Sequence, residues 1–256
     1  MYKLILCLLL YGNLYSQATN DSLDIILPRE IRKLDSLIQI EPIADNYFYR
    51  GHYKFKSKQY NDALEDFNKC IELIPNNEEY YFNRGVVKEK IKDYNGAIKD
   101  FNSCIVINKN FKKSYLNSAF CKAKSNDLKG AIIDYDTYLK FNPNNANAFF
   151  NRGMIKSDQN LNTEAILDFD NALKIDSNNV TFIQSRAISK AMTGRKDAIS
   201  DFNRAIQLDS NNPDTYINRA LYYLNFNIKG DYCSDLKKAI SMGAEKAKSI
   251  LKDNCK

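Results

Sequence analysis

Five arginines in this chain are each followed by an aspartate at nearly the same distance. The separation is identical in four of the pairs and one residue shorter in the remaining one. Opposite charges at a constant separation can form partly buried ion pairs, or the arginines can present a row of cations to an anionic ligand. We favour the structural interpretation, because every arginine is accompanied by its own carboxylate. The pairs are Arg50 with Asp66, Arg84 with Asp100, Arg152 with Asp168, Arg186 with Asp201, and Arg219 with Asp235.

The cysteines indicate one covalent cross-link. Cys233 and Cys255 flank the last predicted helical hairpin, whose turn lies midway between them. Antiparallel helices would bring these two positions together, so we predict a disulfide, with free thiols as the alternative. The remaining cysteines outside the N-terminal segment are predicted to be buried: Cys70, Cys104 and Cys121.

The sequence lacks the motifs of common catalytic and cofactor sites. It contains no glycine-rich phosphate loop, no Gly-x-Ser-x-Gly motif and no His-Glu-x-x-His motif. His52 is the only histidine and no Cys-x-x-Cys pair is present, so neither a Cys–His nucleophile nor a metal centre is expected. We therefore predict a protein that is not an enzyme and that has no cofactor or bound metal.

A constant period along the chain relates these positions to the elements that must hold them. The stretch from Asn83 to Ile105, NRGVVKEKIKDYNGAIKDFNSCI, is predicted to form two helices joined by a turn at Lys92-Asp93. The position after each arginine holds glycine or alanine, and a facing position on the second helix holds alanine in five of six copies. Small residues at both positions let the two helices approach closely. A constant period of about 34 residues indicates a stacked repeat array.

At these residues the chain resembles the tetratricopeptide repeat family, whose repeat is a helix-turn-helix of this length. The match is carried by Asn-Arg-Gly followed by Tyr-x-x-Ala-Ile-x-Asp-Phe in the second copy, and it extends from about Ala44 to Gly243. The resemblance implies an all-α right-handed solenoid of about six helix-turn-helix repeats with N- and C-terminal capping helices. The predicted repeats span residues 44–77, 78–111, 112–145, 146–179, 180–212 and 213–243.

The segment at the N-terminus, residues 1–16, is predicted to be a signal peptide. Lys3 precedes an apolar run from Leu4 to Tyr11 that is too short to span a bilayer, and Ser16-Gln17 offers a cleavage point. This interpretation predicts an exported protein of the bacterial periplasm or cell envelope, or a secreted one. No transmembrane segment is expected in the mature chain.

Both ends of the repeat array are predicted to be capped by helices. Residues 17–43 form a lead-in in which Pro28 suits the start of a helix and Pro42 its end. Residues 244–256 repeat small and apolar residues at helical spacing and are expected to cover the other end.

By the same resemblance, the first helices of the repeats line a concave surface that binds a partner. Its predicted side chains are aromatic, aliphatic and amide groups, which could hold an extended or helical protein segment. The alternative for each phenylalanine is packing between neighbouring helices. The predicted partner-binding residues are Phe48, His52, Phe82, Asn83, Val86, Asn117, Phe120, Phe150, Asn151, Met154, Ile188 and Asn218.

The leading functional hypothesis is a protein–protein interaction scaffold that binds a protein or peptide partner. The alternative is an envelope chaperone or assembly factor that holds unfolded apolar segments. A nucleic-acid-binding helical repeat is the weakest of the three hypotheses, because the net charge is only +6 and the lysines are spread through every repeat. We therefore expect no nucleic acid as a partner.

Overall fold

The computed structural model describes residues 20–228 and 230–255, and for residues 20–25 it describes the backbone alone. Within these ranges the chain forms 14 helices and no strand, which confirms the prediction of an all-α fold. Residues up to Asp127 and residues from Leu128 form two compact units, which are described separately. The predicted signal peptide, residues 1–16, lies outside the described residues.

Unit 1 consists of two helical hairpins with a further helix on each side of them. The two helices of each hairpin, α2 with α3 and α4 with α5, pack against each other, and α1 packs against α2. The first helix of the second hairpin, α4, also contacts α6. The helices are α1 (Asn20–Ile40), α2 (Ala44–Lys56), α3 (Tyr60–Leu73), α4 (Glu78–Lys90), α5 (Tyr94–Ile107) and α6 (Lys112–Lys124).

Unit 2 consists of three helical hairpins, preceded by α7 and followed by α14. The hairpins are α8 with α9, α10 with α11, and α12 with α13, and their first helices contact one another in order along the chain. The C-terminal helix α14 packs against α13. The helices are α7 (Leu128–Phe141), α8 (Ala146–Asp158), α9 (Asn162–Ile175), α10 (Val180–Met192), α11 (Ala198–Leu208), α12 (Pro213–Asn225), α13 (Tyr232–Ser241) and α14 (Lys246–Asn254).

Each of the six predicted repeat segments contains two of these helices. In the third segment, residues 112–145, the first helix (α6) belongs to unit 1 and the second (α7) to unit 2.

Asparagine side chains start several of the first helices. Asn77 accepts a hydrogen bond from the backbone N–H of Glu79, and Asn145 accepts one from that of Ala148. The same cap recurs at Asn179 and Asn212. The first backbone N–H groups of a helix have no partner within the helix, so a side-chain acceptor at this position stabilises its start. The Asn-rich segments between the repeats therefore act as helix N-caps.

The turn inside each hairpin uses a residue in the left-handed backbone region. Lys92 has a φ of 66°, and its N–H donates to the carbonyl of Glu89 near the end of α4. This conformation ends the first helix and reverses the chain direction. Residues at the matching turn positions also have positive φ: Lys58, Asn126, Asn160, Gly194 and Asn227.

Replacing Lys92 with glycine is expected to stabilise the protein by about 1 kcal/mol, because glycine has no Cβ to disfavour positive φ. Thermal unfolding followed by circular dichroism should show a melting temperature about 2–4 °C higher. Lys99→Gly is the control, because Lys99 is exposed in the interior of α5 and glycine there should cost about 1 kcal/mol. A decrease for both variants would show that the turn does not strain Lys92.

Small residues allow each pair of helices to pack closely around a buried aromatic ring. A Cβ built on Gly85 would lie 2.7 Å from Cε1 of Phe101, and one on Gly153 would lie 2.8 Å from the same atom of Phe169. Both distances are shorter than a carbon–carbon contact. Neither ring is accessible to solvent. The predicted close approach of the two helices is therefore present in both hairpins.

The N-terminal helix begins earlier than the sequence predicted. The expected start at Pro28 is wrong, because α1 begins at Asn20 and contains Pro28 in its interior. A proline removes one helical hydrogen bond, but Leu27, just before it, is 4% exposed and belongs to the packed side of the helix together with Leu34. Burial of Leu27 thus favours a helix that continues through the proline. The helix ends at Ile40, two residues before Pro42.

Candidate partner-binding face

The structure brings all five arginines to the aspartates that their spacing suggested. In unit 1, Nε and Nη2 of Arg84 donate to the two carboxylate oxygens of Asp100 at 2.9 and 2.6 Å. The same two-pronged geometry joins Arg50 to Asp66, and in unit 2 it joins Arg152 to Asp168, Arg186 to Asp201 and Arg219 to Asp235. The five aspartates are between 1% and 5% exposed. They are buried carboxylates with parallel hydrogen bonds from a guanidinium group, the strongest geometry for such a pair.

A lysine that the sequence analysis missed completes most of these pairs. Lys88 Nζ lies 2.8 Å from Asp100, and Lys156 Nζ lies 2.8 Å from Asp168. Lys54 and Lys190 make the same contact with their own aspartates. Each lysine follows its arginine by four residues, one helical turn, and this recurrence could have revealed it.

The arginines also connect successive helical elements. Nη1 of Arg84 donates to Asn68 on the preceding hairpin at 2.8 Å, and that of Arg186 donates to Asp170 at 2.6 Å. Arg50, Arg152 and Arg219 donate in the same way to Asp35, Asp136 and Asn203. All of these acceptors except Asp35 lie two residues after the paired-aspartate position of the preceding copy, in a recurring Asp-aromatic-Asn/Asp triplet.

The guanidinium groups are therefore engaged within the fold rather than presented to a ligand. The hydrogen bond that Arg50 donates to Asp66 is the main factor that keeps the pKa of Arg50 above its ordinary value. Arg50 also lies over the ring of Tyr47, and Arg152 over that of Phe149, each with 5.5 Å between the guanidinium carbon and the ring centroid. These contacts support the structural interpretation of the arginines over an anion-binding row.

Three of the phenylalanines predicted to bind a partner pack against aromatic rings outside their own helices. In unit 1 the ring centroid of Phe48 lies 5.3 Å from that of Tyr80, and that of Phe82 lies 5.0 Å from that of Phe111. In unit 2 the rings of Phe150 and Phe182 are stacked with centroids 4.8 Å apart. Phe48 and Phe150 thus contact the following repeat, and Phe82 contacts the N-cap residue of α6, so these side chains have a packing role.

Other predicted binding residues leave a large part of their surface accessible. Phe120 on α6 and Met154 on α8 are each 37% exposed. Val86 and Ile188 are only partly buried where they pack against hydrophobic clusters within their own units. The side of α2, α4 and α6 that carries the predicted residues is called the first-helix face of unit 1, and the corresponding side of α8, α10 and α12 that of unit 2.

The asparagines of these faces divide into two groups. The amide of Asn83 donates to the backbone carbonyl of Glu79 at 2.7 Å. Asn117, Asn151 and Asn218 are partly buried, and their side-chain amides make no hydrogen bond within the part of the chain that the structure describes. An amide carries two donors and an acceptor, so these three can bond to the backbone of another chain.

Three segments of the chain match sequence models of the tetratricopeptide repeat: residues 44–77, 78–111 and 146–179. These three segments are tetratricopeptide repeats in sequence. Proteins of this type bind protein or peptide partners, and their repeats are typically not catalytic. A sequence search among curated proteins finds no match.

Solved tetratricopeptide repeat structures share the fold at low sequence identity. The C-terminal part of a repeat-containing protein from Cytophaga hutchinsonii is 14% identical with a TM-score of 0.74, covering 90% of this chain and 98% of that one. A protein from Parabacteroides merdae is 18% identical with a TM-score of 0.60, covering 88% and 91%. YrrB, described as having an unusual peptide-binding site, is 17% identical with a TM-score of 0.66, covering 74% and 99%. At these identities the likeness shows the fold alone.

The cysteines within residues 20–228 and 230–255 fall into two groups. Cys233, at the start of α13, and Cys255, after α14, form a disulfide. Cys70, Cys104 and Cys121 are buried free thiols, and burial raises the pKa of Cys70 and Cys121 to about 12 and that of Cys104 to about 11. A thiol that stays protonated at neutral pH is a poor nucleophile, which argues against a role in catalysis.

Two further kinds of site are absent from residues 20–228 and 230–255. No group of three histidine, cysteine, aspartate or glutamate side chains there could hold a metal ion. None of the helices in these ranges combines the length and the hydrophobicity that a membrane span requires.

His52 is expected to make the stability of the repeats depend on pH. Burial, assisted by the charge of Lys56, lowers the pKa of its imidazole below 6.5. The unfolded chain then binds more protons than the folded one as the pH falls from about 7.5 toward 5, so acidification should destabilise the fold in this range. The effect should level off below the folded-state pKa.

Urea unfolding of wild type and His52→Gln at several pH values tests this expectation. Because His52 is the only histidine, the variant should show a smaller loss of stability between about pH 7.5 and 5. Parallel stability curves for the two proteins would contradict it.

Proposed function

We propose that this protein is an exported, non-enzymatic scaffold that binds a segment of a protein partner on the first-helix face of its repeats. The observation that supports this most directly is the set of unengaged amides. Asn117, Asn151 and Asn218 occupy one position of the repeat, on three different first helices. Within unit 2, where Asn151 and Asn218 recur without an internal partner, such amides suit an extended peptide, whose N–H and C=O groups recur as well.

Apolar side chains beside two of these amides would provide the contact area. Phe120 follows Asn117 by three residues and Met154 follows Asn151 by three, which places each pair on one side of its helix. Both apolar residues are substantially exposed. The partner's backbone would bond to the amide, and its apolar side chains would contact Phe120 or Met154. The peptide-binding site reported for the similarly folded YrrB is consistent with this proposal.

The proposal is tested by capture of partners from cell-envelope extract with single charge substitutions. Phe120→Glu tests unit 1, and Met154→Glu tests unit 2. Matched controls place the same charge on exposed apolar positions of second helices: Val106→Glu on α5, 79% exposed, and Leu167→Glu on α9, 60% exposed. Phe82 and Phe150 are unsuitable because they pack against aromatic rings outside their own helices.

We expect at least one first-helix variant to lose a partner that both control variants retain, with unchanged helical circular dichroism in all four. A partner retained by both Phe120→Glu and Met154→Glu, or lost equally in the controls, would place binding elsewhere and refute the proposal.

A chaperone or assembly factor is the second candidate. The exposed methionines of unit 2, Met154 and Met192, favour it, because methionine adapts to many apolar surfaces. Weak binding to several unrelated unfolded proteins, suppressed by Met154→Glu, would support this function over a scaffold with one partner.

Export is part of the proposal and is supported by two features of the chain. The charged and apolar pattern of residues 1–16 is typical of a signal peptide. The disulfide between Cys233 and Cys255 suits an oxidising compartment. Intact-mass analysis of protein from the envelope fraction should show a chain that begins at Gln17. Protein of full length confined to the cytoplasm would contradict export.

A further inference from the structure

One arginine–aspartate pair of unit 2 differs from the others in its surroundings. Four of the five pairs have a lysine one turn after the arginine, and its ammonium group contacts the buried aspartate at 2.8–3.0 Å. Beside Arg219 and Asp235 this position holds Tyr223. Of the described residues, Arg219 is the one cation that pairs with Asp235.

The neighbouring hairpin shows what a lysine does at this position. Lys190 Nζ lies 2.9 Å from Asp201 and also 2.9 Å from Asp197, the N-cap residue of α11. The ammonium group thus bridges two carboxylates, one buried and one at the start of the second helix. The lysine side chain itself is only 8% exposed.

Both carboxylates of this arrangement are present again in the last hairpin. Asp231 and Asp235 occupy the same repeat positions as Asp197 and Asp201, and Asp231 is the N-cap of α13. Its Oδ1 accepts a hydrogen bond from the N–H of Ser234, and its carboxylate is exposed. The last hairpin thus keeps the two acceptors and replaces the lysine with tyrosine.

A cavity is lined by both of these carboxylates and by Tyr223, the residue at the lysine position. Its volume is about 460 Å³, and its walls include Tyr223, Asp231, Ser234 and Asp235. Arg219 also lines it, with its guanidinium engaged by Asp235 and Asn203. Among the described residues that line the cavity, two carboxylates face one guanidinium, and a single additional positive charge would balance them.

We propose that this cavity binds a primary alkylammonium group, which takes the place of the lysine found in the other pairs. An ammonium group has three N–H donors, enough to bond to both Asp231 and Asp235, as Lys190 does in its own hairpin. The ring of Tyr223 adds a surface suited to a cation and its alkyl chain. Two carboxylates are too few for a divalent metal ion, which usually takes more oxygen ligands from the protein. The cavity lies outside the first-helix face, so this site is independent of the proposed partner-binding site.

The test is a titration of the full chain with n-butylammonium chloride, followed by NMR of the aromatic and backbone signals. Sodium chloride and tetramethylammonium chloride at equal concentration are the controls, because neither cation can donate hydrogen bonds. We expect saturable shifts around Tyr223 and Asp231 with n-butylammonium alone. Equal shifts with the control salts would show a non-specific ionic effect and overturn the proposal.

Three variants locate the site. Tyr223→Lys supplies the ammonium group internally and should abolish binding. Asp231→Asn keeps the helix cap but removes one charge, and should weaken binding at least about tenfold. Asp197→Asn is the matched control in the occupied hairpin and should bind like wild type. Undiminished binding in Tyr223→Lys or Asp231→Asn would overturn the proposal.

Titrations with two further ligands identify the source of the ammonium group. A lysine-containing peptide with a blocked N-terminus represents a partner's side chain, and 1,5-diaminopentane represents a free diamine. Binding of either ligand supports the site, and the ligand that binds more tightly shows whether the natural ammonium group comes from a protein side chain or from a free diamine. Binding of neither ligand would overturn the proposal.

Discussion

Replacing Asp168 with alanine is expected to lower the free energy of unfolding by roughly 3–5 kcal/mol, the cost typical of removing one partner from a buried ion pair. Its carboxylate lies between Arg152 and Lys156, and its side chain is 3% exposed. Removing it leaves Lys156 without its carboxylate partner and Arg152 with Asp136 alone. Thermal unfolding should show a decrease in melting temperature on the order of 10 °C.

Asp158→Ala is the matched control, because Asp158 lies at the end of α8 in the same hairpin and is not among the buried carboxylates. It should change the stability by less than about 0.5 kcal/mol. The double variant Lys156→Met, Asp168→Ala should be more stable than Asp168→Ala alone, because it also removes the stranded cation. Equal effects of Asp158→Ala and Asp168→Ala would show that the arginine–aspartate pairs do not hold the hairpins together.

Reduction of the disulfide is expected to release the C-terminal helix. The bond between Cys233 and Cys255 closes a loop of 22 residues, which in the chain-entropy model stabilises the closed form by about 3 kcal/mol. Helix α14 has nine residues, too few for a stable isolated helix, and it packs on the last hairpin through Ala247 and its neighbours. Backbone amides of α14 should therefore exchange with solvent roughly a hundredfold faster after reduction.

Hydrogen exchange measured by mass spectrometry, with and without dithiothreitol, tests this second expectation. Cys233→Ser, Cys255→Ser should behave like the reduced wild type and should not respond to dithiothreitol. Amides of α8, in a different hairpin, provide the internal reference and should change much less. Unchanged protection of α14 would show that apolar packing alone holds the cap.

The repeat pattern allowed the all-α fold to be predicted, because packing imposes the same demands on every copy. Gly85 and Gly153 lie where two helices approach each other, and only small residues can occupy such positions. The pairing of arginine with aspartate could also be predicted from the sequence, because two residues at a constant separation in a repeated hairpin must keep the same relative position. Lys156, Asp136 and their equivalents recur with the same period, so the sequence also carries the further partners of these pairs.

The binding face was harder to predict, because one helical position can serve packing or recognition. Phe82 and Phe120 lie on first helices of unit 1 and have the same chemistry. Phe82 packs against Phe111, whereas Phe120 is substantially exposed. The difference depends on residues contributed by neighbouring helices, which no pattern within one helix contains. The start of α1 could not be predicted from Pro28 for a similar reason. The helix continues through the proline because Leu27 is buried against the rest of the unit, and that contact is not visible in the sequence of α1.

The sequence by itself determined the all-helical class, the helix-turn-helix period and the composition of each hairpin, because these depend on local spacing and on the size of side chains that recur. Only the tertiary structure decided which aromatic residues are exposed, which asparagine amides remain unengaged and where a cavity opens beside Asp235. These properties arise from contacts between successive helices, so each depends on the residues of two or more helices at once.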